Sequence, residues 1–212
     1  MMGEEIRTER MFKVMEKKEI RLRMLARARL LAPDYRREAG AAIAARVLTL
    51  PVWDQAQTVL MYMALPTEPE TSSLRESAVR AGKTVLLPRC LPDHKMEAVP
   101  WLPGSEMHPG AWGIPCPAGP AYPGVPDLCL IPCVSAAPGG IRLGHGGGYY
   151  DRYLTALTTV RLCLCFSALV SPELPAEDTD VRMDGILTEN GLLEPSFLPV
   201  LFGNSPENGH SG

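Results

Sequence analysis

Arg142-Leu-Gly-His-Gly-Gly-Gly-Tyr-Tyr-Asp-Arg-Tyr-Leu154 places four glycines within five positions, directly before two tyrosines and an aspartate. A strand-like apolar run at residues 127–132 precedes this stretch, and an amphipathic run follows its last glycine. Glycine lets the backbone turn tightly and approach an anion without an intervening Cβ. The free N–H groups at the start of the next helix would then face the negative charge. The order of strand, glycine loop and helix therefore predicts a phosphate-binding loop.

Asp151 lies one turn into the predicted helix. A carboxylate in that place would repel a bare phosphate, so it fits better as a Mg²⁺ ligand beside a nucleotide. The stretch is neither a Walker A loop nor a dinucleotide fingerprint, because no Lys-Ser/Thr follows the last glycine and the spacing is not G-x-G-x-x-G. The alternative interpretation is a glycine-rich surface turn without a ligand.

The pattern Arg-Leu-Gly-x-Gly-x-Gly-Tyr-Tyr-Asp resembles the signature of the 5-formyltetrahydrofolate cyclo-ligases, also called 5,10-methenyltetrahydrofolate synthetases. Weaker elements between Lys17 and Glu189 follow in the order of that family. The resemblance implies a ligase that converts 5-formyltetrahydrofolate to 5,10-methenyltetrahydrofolate with MgATP and releases ADP and phosphate. It also implies an α/β fold of three layers, α/β/α, around a mostly parallel sheet, as in sugar-phosphate isomerases and CoA transferases.

The resemblance implies an ATP site built from the first predicted helix and the glycine loop. Lys17-Lys-Glu-Ile-Arg21 is similar to a Lys-x-x-Leu-Arg element that binds ATP in the family. Without the resemblance, this basic pair would be assigned to a solvated helix face. Basic side chains are expected to hold phosphates, and backbone N–H groups to cradle the transferring group. The expected ATP-binding residues are Lys17, Arg21, Arg142, Leu143, Gly144, His145, Gly146, Gly147, Gly148, Tyr149 and Tyr150.

The folate site is expected beyond the strand predicted at residues 58–64, because ligands of open α/β sheets gather at the carboxyl ends of strands. Glu68-Pro-Glu-Thr71 matches a Glu-x-Glu-Thr element whose first glutamate contacts folate in the family. A carboxylate suits the donor groups of a pterin, and Met63 would pack against its flat ring. The expected substrate-binding residues are Met63, Glu68, His145, Gly146, Gly147, Gly148 and Tyr149.

Catalytic roles are expected for Arg142, Tyr149 and Tyr150: the tyrosines would wall the site, and one hydroxyl would orient the formyl oxygen or a phosphate. Asp180-Val-Arg-Met-Asp184 resembles a C-terminal family element, and the resemblance assigns its second aspartate, Asp184, to Mg²⁺ together with Asp151. Without the resemblance, Asp184 would be a turn residue before Gly185. His145 occupies a variable position of the motif, where it would contact a phosphate, the folate glutamate tail or solvent.

Two segments depart from the family pattern. Cys116 stands where the family commonly has an acidic or amide residue, and residues 134–138 lack the family's Phe and Asp. Two alternatives stay open. One is a non-catalytic folate- or nucleotide-binding relative. The other, for which the two departures leave room, is an ATP-dependent ligase of the same fold acting on another small formylated substrate. The intact glycine loop, Glu68, Asp151 and Asp184 favour the cyclo-ligase over the non-catalytic relative.

Composition narrows the class of protein. The chain has 46% hydrophobic and 21% charged residues with a net charge of −3, as in soluble globular proteins, and no block of like charge indicates a nucleic-acid surface. No apolar run reaches the length of a membrane span. Six cysteines without a C-x-x-C pair favour a reducing cytoplasm over a disulfide framework. We expect a cytoplasmic monomer whose partners are small-molecule substrates, without nucleic acid or membrane.

One domain is predicted for residues 1–203, because 212 residues suffice for one core and fall short of two ordinary domains. Residues 4–31 are predicted as one long helix, residues 1–16 are assigned to an N-terminal helical extension of the domain, and residues 204–212 are predicted as a disordered tail. Other helices are predicted at 33–50, 71–81 and 148–157, strands at 58–64, 82–89, 96–101, 127–132 and 160–167, and a long ordered loop at 102–126. This alternation predicts a sheet that is at least partly parallel.

Overall fold

Short strands and helices alternate along the chain in the computed structural model, which describes residues 17–193. Apolar and β-branched residues dominate the strands, as burial in a sheet requires. The helices are α1 Lys17–Leu30, α2 Pro33–Val47, α3 Pro51–Gln55, α4 Ser72–Arg80 and α5 Tyr149–Leu154. The strands are β1 Thr58–Leu60, β2 Thr84–Cys90, β3 Met96–Trp101, β4 Met107–Pro109, β5 Pro115–Pro117, β6 Leu128–Pro132, β7 Ser135–Ala137, β8 Ile141–Leu143, β9 Val160–Leu164, β10 Gly185–Thr188 and β11 Gly191–Leu193.

Seven of these strands form one sheet in the order β11-β10-β9-β6-β1-β2-β3. The five central strands are parallel to one another, and the two edge strands, β3 and β11, pair antiparallel. Consecutive residues of β6 and β10 are buried, and successive side chains of a strand point to opposite faces, so both faces of the sheet are covered. The predicted α/β class with a mostly parallel sheet is confirmed.

The described residues pack around one large apolar core, with a small second cluster formed by Ala137, Leu143 and Leu174. Single-domain organisation stays a prediction, because its limit at residue 203, the N-terminal extension at 1–16 and the tail at 204–212 lie outside the described residues. Within residues 17–193, no helix combines the length and apolarity required to cross a bilayer.

The strand predicted at residues 58–64 is shorter than expected, since its ladder ends at Leu60. The carbonyl of Tyr62 instead accepts hydrogen bonds from Thr71 Oγ1 at 2.5 Å and Arg75 Nη1 at 3.1 Å. Because α4 carries Arg75 and Thr71 precedes it, these bonds fold the segment after β1 back onto that helix. The result is a tight loop that presents residues 62–68 at the carboxyl end of the sheet.

Two short hairpins were not predicted. Residues 102–126 contain β4 and β5, and the connection after β6 contains β7 and β8. Each of these strands has three residues, and β4 and β5 include prolines, so neither length nor composition distinguishes them from loop. Two helices also end earlier than predicted, at Val47 and Leu154, because the chain turns before Pro51 and before β9.

Glu189 joins α2 to the strands at one edge of the sheet. Tyr35 Oη and Ser167 Oγ both donate to Glu189 Oε1, and the Ser167 N–H donates to Oε2 at 2.9 Å. Burial alone would raise the pKa of Glu189, but the hydrogen bonds from Ser167 and Tyr35 outweigh it and hold that pKa below its ordinary value. The ionised carboxylate therefore stabilises the folded state.

Glu189→Gln is expected to lower the free energy of unfolding at pH 7 by about 1 kcal/mol, a value reduced for the partial exposure of the group. A carboxyl whose folded-state pKa is depressed stabilises the fold above its unfolded pKa, and this contribution disappears as the pH falls through the folded-state pKa. The difference between variant and wild type should therefore shrink below about pH 4. Urea unfolding of variant and wild type at pH 7 and below about pH 4 measures this difference in the free energy of unfolding. An equal difference at the two pH values would contradict the prediction.

Candidate active site

A cavity of about 1350 Å³ lies at the carboxyl ends of β1, β2 and β6, where ligands of open α/β sheets bind. The glycine loop at residues 144–148 forms one wall, and the segment after β1 forms another. Pockets for one small ligand usually measure about 300–1,000 Å³, so this cavity has room for two ligands side by side.

The structure brings almost all of the predicted site residues together. Those that line the cavity are Lys17, Arg21, Met63, Glu68, Arg142, Leu143, Gly144, His145, Gly146, Gly147, Gly148, Tyr149, Tyr150 and Asp151. They come from α1, the segment after β1, β8, the glycine loop and α5. Asp184 is the exception, and it borders a separate small groove at the amino ends of β6 and β9.

Side chains from three different elements hold the glycine loop. Arg21 Nε donates to the Gly144 carbonyl at 2.7 Å, Arg152 Nη1 donates to the Gly147 carbonyl at 3.0 Å, and His145 Nε2 lies 3.0 Å from Glu68 Oε1. The loop is therefore tied to α1, to α5 and to the segment after β1. Helix α5 has six residues, so the phosphate cradle predicted at its N-terminus is better assigned to this braced loop.

Gly148 shows why the loop needs glycine. Its φ is +65°, in the left-handed region, and a Cβ there would lie 2.6 Å from Arg152 Nη1. A larger residue would therefore be strained and would push away the guanidinium that holds the Gly147 carbonyl.

Two basic side chains of the cavity, Arg142 and Lys17, are paired with acidic partners. Arg142, whose side chain is 5% exposed, contacts Asp151 Oδ2 at 3.0 Å and donates to the Pro132 carbonyl at 3.2 Å. Lys17 Nζ lies 2.5 Å from Asp180 Oδ2. Such charges are largely removed from water, so an anionic ligand would bind by replacing one carboxylate at each cation. The site thus has the cations for a polyphosphate already in position.

Tyr150 combines a buried hydroxyl with a buried cation. Its hydroxyl has no hydrogen-bond partner among residues 17–193, and the Arg142 guanidinium lies 5.5 Å from the centre of its ring. Burial and the nearby Glu68 carboxylate raise the pKa of Tyr150 well above its ordinary value. The phenol is therefore neutral at physiological pH and has a free donor for a ligand oxygen.

Aromatic rings form the rim beside the glycine loop. The Tyr149 ring packs edge-to-face on Trp112, with centroids 5.6 Å apart, and lies 5.5 Å from the ring of His94. Trp112 and His94 have φ values of +55° and +57°, and Asp93 is the third non-glycine residue with positive φ among those described. Such backbone strain often marks ligand-binding segments. The rim can pack against a flat aromatic ligand.

Glu68 lies on the opposite wall, where its side chain is 4% exposed. Its Oε2 accepts the Leu65 N–H at 2.9 Å, so the loop after β1 holds the carboxylate toward the cavity. A buried carboxylate with lone pairs left over is suited to a ligand that presents N–H donors. Met63 lines the cavity on the same segment.

A backbone hydrogen bond joins Asp151 to the segment that carries Asp180. Asp180 lines the cavity, and the N–H of the next residue, Val181, donates to Asp151 Oδ1 at 3.3 Å. No cluster of three or more His, Cys, Asp or Glu residues able to hold a metal occurs within residues 17–193. Mg²⁺ usually binds through one or two carboxylates and completes its shell with waters and substrate phosphates. Two carboxylates therefore fit Mg²⁺ bound with a nucleotide.

Asp184 does not fit the metal role predicted for it. Its carboxylate accepts the backbone N–H of Arg161 at 2.8 Å and pairs with the Arg161 guanidinium at 3.1 Å. Asp184 directly precedes β10 and Arg161 is the second residue of β9, so parallel pairing of these strands fixes the contact. The aspartate of this element that lines the cavity is Asp180, so we transfer to it the proposed metal role that the resemblance assigned to Asp184.

Comparison with known proteins identifies the family. The model of the 5-formyltetrahydrofolate cyclo-ligase family matches residues 13–189, which is most of the chain. This chain is a member of that family. The cyclo-ligase signature thus coincides with the glycine loop of the cavity.

Individual relatives agree with this membership. The 5-formyltetrahydrofolate cyclo-ligase of Escherichia coli is 29% identical over 177 residues, covering 79% of this chain and 97% of the relative. That of Mycolicibacterium smegmatis is 32% identical over 143 residues, covering 62% of this chain and 73% of the relative. The solved structure of 5,10-methenyltetrahydrofolate synthetase from Aquifex aeolicus superposes with a TM-score of 0.76 at 25% identity, covering 92% of this chain and 97% of that one.

Several cavity residues of this cyclo-ligase were not predicted. Besides Asp180, they include Lys18 and Arg152, which add positive charge, and the rim residues His94 and Trp112. Lys18 adjoins a predicted residue, and Arg152 follows the motif aspartate. The rim residues belong to irregular segments, and although residues 112–117 resemble a family element, no pattern assigned a role to His94 or Trp112.

Proposed function

We propose that this protein cyclises 5-formyltetrahydrofolate to 5,10-methenyltetrahydrofolate, with ATP as phosphoryl donor and Mg²⁺ as cofactor. The observation that carries the proposal is a single cavity that joins a braced glycine loop to a buried carboxylate, Glu68, with room for two substrates. The loop side has the cations and N–H groups for a triphosphate. The Glu68 side has the acceptor for a pterin, so the two substrates would meet between the walls.

The chemistry requires activation of a poor electrophile. The N5-formyl group is an amide, whose carbon reacts slowly and whose oxygen leaves poorly. The formyl oxygen attacks the γ-phosphorus of ATP, a P–O bond forms, and the bond to the β-phosphate oxygen breaks to release ADP. N10 then attacks the formyl carbon and loses its proton, the C–O bond breaks, and inorganic phosphate leaves with the formyl oxygen.

Phosphoryl transfer depends on positioning and charge neutralisation more than on a protein nucleophile. Lys17, Arg21 and Arg142 would hold the phosphates, and the N–H groups of the glycine loop would face the transferring group. Asp151 and Asp180 would hold Mg²⁺, which neutralises phosphate charge when bound. Lys17 and Arg142 would then bind phosphates in place of their carboxylate partners, and the released carboxylates would bind Mg²⁺.

The folate half of the site would use the opposite wall. Glu68 would accept the N–H donors of the pterin, and Met63 would pack on its ring. The neutral Tyr150 hydroxyl would donate to the formyl oxygen or to a phosphate oxygen. Tyr149 and Trp112 would cover the ligands from the rim and exclude water.

We also propose that the protein acts as a monomer in the cytoplasm on these small molecules, without nucleic acid. All six cysteines fall within the described residues, and each is a free thiol. Free thiols are the ordinary state of cysteine in a reducing compartment, which supports the proposed location.

The test is spectrophotometric. Purified full-length protein is mixed with 5-formyltetrahydrofolate and MgATP, and the near-ultraviolet band of the methenyl product is followed. A rise that requires both ATP and Mg²⁺ is expected. ATP turnover that proceeds with 10-formyltetrahydrofolate or formate, and not with 5-formyltetrahydrofolate, would indicate the alternative ligase. Binding of folate and ATP without turnover would indicate the non-catalytic relative.

A further inference from the structure

His145, a residue of the glycine loop, contacts Glu68 on the opposite wall of the cavity. Its Nε2 lies 3.0 Å from Glu68 Oε1, and the two side chains are 25% and 4% exposed. The histidine stands between Gly144 and Gly146 in the phosphate-binding loop, whereas Glu68 follows β1, 77 residues earlier in the chain. One side chain thus bridges the two walls of the cavity.

The contact has consequences for Glu68. Oε2 already accepts the Leu65 N–H, and Oε1 faces His145, so both oxygens are oriented and each keeps a lone pair for a ligand. Without the second contact, the carboxylate could rotate about χ3, a torsion whose preferred range is broad in glutamate. His145 therefore defines the plane in which Glu68 presents its free lone pairs.

The surroundings of His145 leave Glu68 as its hydrogen-bonding partner. The Trp112 ring lies beside it at 6.4 Å, and the Arg21 guanidinium packs under Gly146 while donating to the Gly144 carbonyl. Within residues 17–193, the contact with Glu68 is the one side-chain hydrogen bond that His145 makes.

We infer that His145 is a positioning residue that orients Glu68 for the folate and couples the folate wall to the phosphate-binding loop. This inference rests on the proposed function, which places the pterin at Glu68 and the triphosphate at the loop. Coupling between two binding sites is reciprocal. Folate bound at Glu68 should therefore raise the affinity for ATP through His145, and ATP should raise the affinity for folate by the same factor.

Three variants test the inference. His145→Leu removes the hydrogen bond with little change in bulk, and His145→Gln restores a donor near the position of Nε2. His108→Leu is the matched control, because His108 pairs at 3.1 Å with Glu106 in an exposed contact outside the cavity. Each is assayed for kcat and for KM of both substrates. Binding of 5-formyltetrahydrofolate and of a non-hydrolysable ATP analogue is measured by calorimetry, separately and together.

For His145→Leu, we expect the KM and Kd of 5-formyltetrahydrofolate to rise about tenfold, with kcat at saturating folate within about threefold of wild type. The effect of folate on ATP affinity should also disappear. His145→Gln should return folate affinity to within about threefold of wild type, and His108→Leu should match wild type. A purely structural role would alter the unfolding midpoint and all kinetic parameters together, without rescue by glutamine.

An unchanged folate affinity in His145→Leu, or a loss that His145→Gln does not restore, would overturn the inference. Failure of the proposed function gives a different result, since wild-type protein would then show no folate-dependent turnover. The calorimetric comparison of the variants measures folate binding in either case, so the role of His145 is decided even without turnover.

Discussion

Asp151→Asn is expected to lower kcat for folate-dependent ATP turnover by about 10²–10³-fold, the cost of removing one preorganised charge from a phosphoryl-transfer site. Asp151 contacts Arg142 at 3.0 Å and receives the Val181 N–H at 3.3 Å. Asparagine preserves the shape, but it loses the charge that would hold Mg²⁺ and turns an amide toward the buried guanidinium. Steady-state kinetics at saturating ATP and folate measure the change, and activity within about fivefold of wild type would contradict it.

Two further aspartates provide matched controls. Asp178→Asn removes the same charge from an exposed position on the cavity rim and should leave kcat within about threefold of wild type. Asp184 is not part of the cavity lining, so Asp184→Asn, which breaks the pair with Arg161, should lower stability by about 1–3 kcal/mol with little effect on Mg²⁺ dependence. If Asp184→Asn and not Asp180→Asn changed the Mg²⁺ requirement, the corrected metal assignment would be wrong.

Gly140→Ala is expected to destabilise the fold by about 3–5 kcal/mol. Gly140 has a φ of +78°, and a Cβ there would lie 2.3 Å from the carbonyl oxygen of Met183, far inside contact distance. The backbone would have to shift, which would break the hydrogen bond from the Met183 N–H to the Gly140 carbonyl at 2.8 Å. The segment that contains Asp180 would move with Met183, so kcat should fall as well.

Gly139→Ala separates the steric clash from the backbone strain. Gly139 has a similar φ of +80°, but the nearest atom to its Cβ would be Arg182 Nη1, at an ordinary distance of 3.6 Å. This substitution should cost about 1 kcal/mol. Urea unfolding of both variants measures the difference, and equal destabilisation would show that the Met183 contact contributes nothing.

Much of the cavity could be predicted from local sequence. The glycine loop, Arg142, Tyr150 and Asp151 lie within ten consecutive residues, so their proximity follows from covalent connectivity. Glu68 was predictable because it follows an apolar strand, and parallel strands end at the same edge of a sheet. Residue type and position relative to a strand are local properties, and a sequence displays them directly.

Contacts between distant segments could not be predicted in the same way. Asp180 and Asp184 have the same residue type four positions apart, and the pairing of β10 with β9 gives Asp184 to Arg161. The bond between His145 and Glu68 spans 77 residues and was not anticipated, although both side chains were predicted site residues. Which partner a side chain meets depends on register and on loop paths, and neither leaves a local pattern.

Local sequence was enough to predict the α/β class, the position of the glycine loop and the residue types of the two walls, because periodicity, glycine and charge act over a few neighbouring residues. The tertiary structure alone decided which aspartate faces the cavity, how Lys17 and Arg142 are neutralised, and that His145 connects the walls. These outcomes depend on strand register and packing across many residues, where differences of a few ångströms select one partner over another.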